Sequence, residues 1–209
     1  MYFVRDLVTE VADHPEVRDL LIGETMDIAR SEPLARELHQ MPAETLVRWL
    51  IEWREEPFTQ VDRQLCVAYP PHVIGPERLP VLLRRKGQAQ LREMPRVFAA
   101  LAECGLPMEP IFCGGTKRAM QEREQWASGC NFLALRPGAV ASYARNEATL
   151  REMERPGFTI GSGDALLTGQ HRIADDERAV ITFQGSELVR GGGGPRCMTW
   201  PIERDDAWG

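Results

Sequence analysis

Along the first quarter of the chain, apolar positions recur three and four residues apart. Leu7, Val8 and Val11 share one face, His14-Pro15 interrupts the spacing, and Val17, Leu20 and Leu21 resume it. Leu34 and Leu38, then Leu46, Trp49, Leu50 and Trp53, continue the pattern. Pro33 and Pro42 sit near helix starts, where a missing N–H costs little. These spacings predict short amphipathic helices that must pack on one another or on another body. A strand over residues 1–5 is a fainter expectation.

After Pro57 the pattern alternates between strand-like and helix-like pieces. Leu65 to Tyr69 is a continuous apolar run closed by Pro70-Pro71, the signature of a buried strand. Leu79 to Leu83 and Met108 to Phe112 predict further strands. Pro95 to Cys104 predicts a helix stopped by Gly105. Ala119 to Trp126 is a short charged helix, with Glu122, Arg123 and Glu124 read as an exposed face and Trp126 as its anchor. Phe132 to Leu135, Pro137-Gly138 and Ala139 to Tyr143 predict a hairpin. Asn146 is placed to cap a helix running to about Met153, and Ala179 to Phe183 is the clearest strand. The expected class is α/β, with a helical region over 1–57 and a mixed region over 58–209.

Composition narrows the function. The 209 residues are 43% hydrophobic and 27% charged, the balance of a soluble globular chain. Apolar runs are too short to span a bilayer, so no membrane partner is expected. The opening MYFVRDLVTEVADHPEV lacks the basic start and apolar core of a signal peptide. A net charge of −6 argues against a nucleic-acid partner, which needs a basic face. The five cysteines are odd in number and include no C-x-x-C pair, so neither a disulfide framework nor a structural zinc site is expected. Reduced thiols in the cytoplasm and no cofactor are the working expectation.

The candidate chemistry centres on Gly191-Gly192-Gly193-Gly194-Pro195-Arg196-Cys197-Met198-Thr199. Glycines let a backbone approach a ligand or take positive φ. A phosphate loop would need a following Gly-Lys-Ser/Thr and a helix, and neither is written here. The loop can instead present Cys197 as a nucleophile, with Arg196 and Arg190 favouring the thiolate. The plainer alternative is a surface turn beside a half-buried cysteine. A cysteine nucleophile normally works with a histidine. His14 and His39 read as surface or packing residues, and His72 and His171 as solvated loop residues without a His-x-Asp pairing. The acidic runs Glu52/Glu55/Glu56 and Asp175-Asp176-Glu177 read as solvated faces.

Three blocks carry a family resemblance. Gly185-Ser186-Glu187-Leu188-Val189-Arg190 through Cys197-Met198-Thr199, with Pro201-Ile202-Glu203-Arg204-Asp205, resembles the C-terminal signature of arginine deiminases. Cys113-Gly114-Gly115, Gln121 to Trp126, Gly129, Asn131, Pro137-Gly138 and Tyr143-Ala144-Arg145-Asn146 form a second block. Phe58-Thr59-Gln60-Val61-Asp62 and Tyr69-Pro70 form a third, and the helical start is similar to the family's helical insert.

The resemblance implies an α/β propeller of ββαβ-type blades, here incomplete, behind the helical region. It implies Cys-dependent hydrolysis of arginine to citrulline and ammonia. In that chemistry carboxylates clamp the guanidinium and a histidine protonates the leaving nitrogen. By position Cys197 takes the nucleophile's place, and Arg190 and Gly191 are the substrate-binding candidates.

The departures are equally specific. The family's His-x-Asp offsets hold Trp53 and Glu55, and no Phe-Thr-Arg-Asp or Glu-Gly-Gly-Asp loop is present. The second arginine of the family's Arg-Gly-Arg-Gly-Gly run is Gly192. The expectation is a shortened, impaired deiminase-like chain whose ligand is arginine or another guanidino compound. The alternative is a non-catalytic module that assembles with itself or with a full-length homologue. A chain unable to fold stably and a metal enzyme stand further behind. Glu109, Glu187, His72 and His171 are the residues to inspect around Cys197, and Arg145 and Arg190 the possible ligand contacts.

Overall fold

The computed structural model describes residues 57–76, 78–85, 90–185, 188–191 and 193–199, with scattered positions between 12 and 46. The expected helices of the first quarter, the strand over 1–5 and the Trp53/Glu55 positions fall almost wholly outside these residues. Of the positions described there, 12–13, 15–16, 18–19, 39–40 and 46 are helical, and 14, 41 and 42 are not. Arg18 ties two of these pieces together, donating from Nη1 to the His39 carbonyl at 2.8 Å and from Nη2 to the Met41 carbonyl at 2.9 Å. His14 and His39 are exposed, as surface residues should be.

From Phe58 onward short strands and helices alternate. Strands β1 (Phe58–Gln60) and β2 (Leu65–Ala68) form an antiparallel pair, and β5 (Glu109–Phe112) adds parallel to β2. All four positions of β2 are buried, which explains its unbroken apolar run: a strand covered on both faces has no polar side to show. The chain leaves β2 through a single helical turn, α1 (Pro70–Val73), started by two prolines whose missing N–H groups would have been unpaired there. Strands β3 (Val81–Arg84) and β4 (Leu91–Met94) form a separate hairpin, with α2 (Val97–Glu103) against one side. The expected strand from Leu79 starts two residues later, after Pro80, whose ring supplies no N–H to a ladder.

The second large sheet has the order β6-β7-β9-β8. Strands β6 (Leu133–Arg136) and β7 (Ala139–Tyr143) make the expected hairpin over Pro137-Gly138. Strands β8 (Thr159–Ser162) and β9 (Ala179–Phe183) run parallel to β7. Helices α3 (Arg118–Trp126), α4 (Glu147–Glu154) and α5 (Gly163–Leu167) connect these strands, and α4 packs against β5, β8 and α3. One core joins the two sheets, with Val67, Ile111, Phe132, Val140, Met153 and Val180 at its centre. Among the described residues no helix is long and apolar enough to cross a membrane.

Two expectations are corrected here. The α3 segment is not an exposed charged helix: Gln121, Glu124 and Gln125 are buried, with Glu124 and Gln125 at 0% exposure. Nor does the Asn146 side chain cap α4, because it donates to the Ala127 carbonyl at 3.0 Å instead. One fact accounts for both. Glu124 accepts from the backbone N–H groups of Ala148 and Thr149, each at 2.8 Å, and from the Thr149 hydroxyl at 2.7 Å. A helix start leaves its first N–H groups unpaired and partly positive, so a carboxylate from a neighbouring helix can serve as the cap. The carboxylate is buried because α4 needs it.

Candidate functional site

The C-terminal loop follows from the residues it is made of. After β9 the chain enters a 3-10 turn, Leu188–Gly191, and then the Gly193 to Thr199 segment. Gly193 has φ +81°, and a Cβ there would lie 2.9 Å from the Cβ of Cys197. A Cβ on Gly194 would lie 2.7 Å from the Cβ of Asn131. The side-chain-free run is therefore needed twice: once for a left-handed backbone, once for a close crossing over Asn131. Beyond it Thr199 closes a turn, its N–H and hydroxyl both donating to the Arg196 carbonyl, at 3.1 and 2.8 Å.

Asn131 is the floor of this loop. It is 1% exposed and lies between α3 and β6, its own N–H bonded to the Ser128 carbonyl at 3.0 Å. Its Oδ1 accepts from the Arg196 N–H at 3.0 Å, and its Nδ2 donates to Cys197 Sγ at 2.8 Å. A peptide N–H can only donate, so the carbonyl oxygen of the amide must face Arg196 and the NH₂ must face the sulfur. On the same side, the hydroxyl of buried Tyr143 donates to Met198 Sδ at 3.9 Å, and the Tyr143 ring meets Phe183 edge-on at 5.2 Å. The loop thus sits at the C-terminal end of β7. Cys197 itself is exposed.

The other candidates are placed elsewhere. His72, read as a solvated loop residue, is a correction: it is 4% exposed within α1, its ring packed edge-on against Tyr69 at 4.8 Å. The two prolines fold that segment back onto the core instead of leading it into solvent. His171 is half-buried, its ring over Gly161 on the outer strand β8. Glu109 opens β5 opposite Leu65, and the Gly138 N–H bonds the Val61 carbonyl at that same end. Glu109 therefore lies by the start of β7, while the Cys197 loop lies by its finish. Arg145 is exposed just past β7, and its carbonyl accepts from Arg123 at 3.3 Å. Arg190 and Gly191 belong to the 3-10 turn, but the Arg190 side chain and Glu187 lie outside the described residues.

Among the described residues, then, the hydrogen-bond partner of the Cys197 sulfur is an asparagine, and no histidine or carboxylate bonds to it. The amide network around Asn131 had no signature in the residue pattern. Its only trace was membership of the second resembling block, without a role. The other cysteines differ in kind. Burial pushes the Cys66 thiol up to about 12, which keeps it protonated and inert. Cys113 and Cys130 are also buried, and Cys104 is exposed at the end of α2.

Comparison with known proteins adds an independent line. The arginine deiminase family model matches residues 57–204. An arginine deiminase from Mycobacterium avium is 31% identical over 198 residues, which is 91% of this chain and 44% of that protein. One from Streptococcus uberis is 32% identical over 152 residues, covering 71% of this chain and 32% of the relative. One from Mycoplasma capricolum is 38% identical over 102 residues, or 49% of this chain and 20% of the relative. The chain spans less than half the length of these curated relatives.

Proposed function

The chain belongs to the arginine deiminase family, and on that premise we propose that it is an impaired deiminase-like protein, with Cys197 in the nucleophile's place and Trp53 and Glu55 at the offsets of the family's His-x-Asp. Its ligand is arginine or another guanidino compound. In the full reaction a thiolate forms a C–S bond to the guanidinium carbon, the C–N bond breaks and ammonia departs with a proton from an acid. Water then cleaves the C–S bond to release citrulline and regenerate the thiol. Cys197 supplies the sulfur, and Arg190 and Gly191 of the adjoining turn are the substrate contacts. The reading is supported by one observation: the sulfur is held by Asn131, an amide with no acidic proton to give a leaving amine. Five unpaired cysteines support a reducing, cytoplasmic setting.

Without general acid help the loss is ~10²–10⁴-fold, before any loss of substrate clamping is counted. Purified protein should therefore give little citrulline from arginine relative to a full-length family member, assayed beside Cys197→Ala. Brisk turnover that vanishes in the variant overturns the proposal.

A second reading is favoured by the β3–β4 hairpin. Its register places Leu82 beside Glu93 and Leu91 beside Arg84, so both leucines share one face. They are 60% and 56% exposed, while α2 packs on the hairpin as well. A partial propeller with such a face is suited to assembly with a second copy or a full-length homologue. Light scattering after size exclusion should then report a mass above 23.6 kDa. A monodisperse monomer counts against assembly with a second copy.

A further inference from the structure

We propose that Asn131 is the positioning residue for Cys197: a buried amide that locks the loop through its oxygen and donates to the sulfur through its nitrogen. The inference rests on Cys197 being the reactive sulfur and adds a residue to which the resemblance assigned no role.

Asn131 is 1% exposed, and a buried amide must spend its bonding groups on the protein. Its oxygen is committed to the Arg196 N–H, the residue immediately before Cys197, at 3.0 Å. That bond ties the loop to Asn131. It also leaves the NH₂ facing the sulfur, where it donates at 2.8 Å. Gly194 crosses close to the same asparagine, where any side chain would collide: a Cβ there would come within 2.8 Å of the Asn131 Cγ. An N–H donor stabilises a thiolate more than a thiol, because the bond to the charged acceptor is the stronger one. The two halves of the amide therefore do different work, and substitution can separate them.

Asn131→Asp does so. One carboxylate oxygen can still accept from Arg196, while the other places an acceptor, and a negative charge, where the sulfur had a donor. The readout is alkylation by iodoacetamide at neutral pH, in which the Cys197 thiolate displaces iodide and forms a C–S bond. Mass spectrometry follows Cys197 and, as internal control, the exposed Cys104. The expected result is a fall of roughly tenfold or more at Cys197, the scale of one charge-assisted hydrogen bond, with Cys104 unchanged. A Cys197 rate that stays within about twofold, or rises, overturns the proposal. Should Asn131→Asp not fold, the native asparagine decides the matter. The side-chain amide protons of Asn131 must move in the NMR spectrum of Cys197→Ala relative to the parent, and unmoved resonances overturn the assignment. Failure here is separate from failure of the deiminase-like reading, which is judged by citrulline formation.

Discussion

Glu124 beneath α4 and Asn131 beneath the Cys197 loop are both polar side chains buried to within 1% of completeness, and each bridges two distant segments. Their surroundings diverge. Glu124 receives three donors from one helix start, two of them backbone N–H groups. The Thr149 hydroxyl that bonds it also accepts from the Gly114 N–H at 2.9 Å, extending the network back to the end of β5. Both oxygens of the Glu124 carboxylate are used within the protein. At the other junction both polar atoms of the Asn131 side chain are bonded, but the sulfur it holds is exposed and, among the described residues, takes its hydrogen bond from Asn131. A fully satisfied charge is scaffold, because nothing is left over to bind. A nucleophile held by a single bond and open to solvent still has chemistry to offer. The contrast also shows that a charged motif, here Glu122 to Gln125, can owe its residues to helix capping and not to catalysis.

The strongest way to break this contrast is Glu124→Ala. It leaves the Ala148 and Thr149 N–H groups and the Thr149 hydroxyl without this acceptor, and each buried donor left unsatisfied costs about 1–3 kcal/mol. Urea unfolding should show that loss; a change under about 1 kcal/mol, the worth of a single ordinary hydrogen bond, would make Glu124 dispensable and erase the distinction. Gly193→Ala acts on the other junction and should cost less. A left-handed φ of +81° is strained for any residue with a Cβ, by roughly 1–2 kcal/mol. The added carbon also meets the Cys197 Cβ at 2.9 Å, so the Cys197 alkylation rate should change while that of Cys104 does not. Unaltered labelling of Cys197 would mean that the loop geometry does not control the sulfur.

Much of the fold was legible because it follows from local patterning. The unbroken run of β2 predicts a strand covered on both faces, Pro137-Gly138 predicts the β6–β7 hairpin, and Gly105, with φ +80°, ends α2 as a helix stop should. Shorter or less periodic pieces were missed, among them β4 (Leu91–Met94), with its Arg92 and Glu93, and β8, with its Gly161, because neither is an apolar run of strand length. The burial of His72 has no sign in the sequence, because a Pro-Pro pair signals a turn without saying which way the turn carries its neighbours.

The sequence by itself determined the family and the order of most elements, and it singled out Cys197 as the candidate sulfur, since each is written in residues that lie close together along the chain. Only the tertiary structure decided what surrounds that sulfur and what Glu124 is for. Asn131 and Cys197 are 66 positions apart, and Glu124 and Thr149 are 25 apart. Side-chain hydrogen bonds of this kind depend on distances of about 3 Å between groups that no spacing rule along the chain connects.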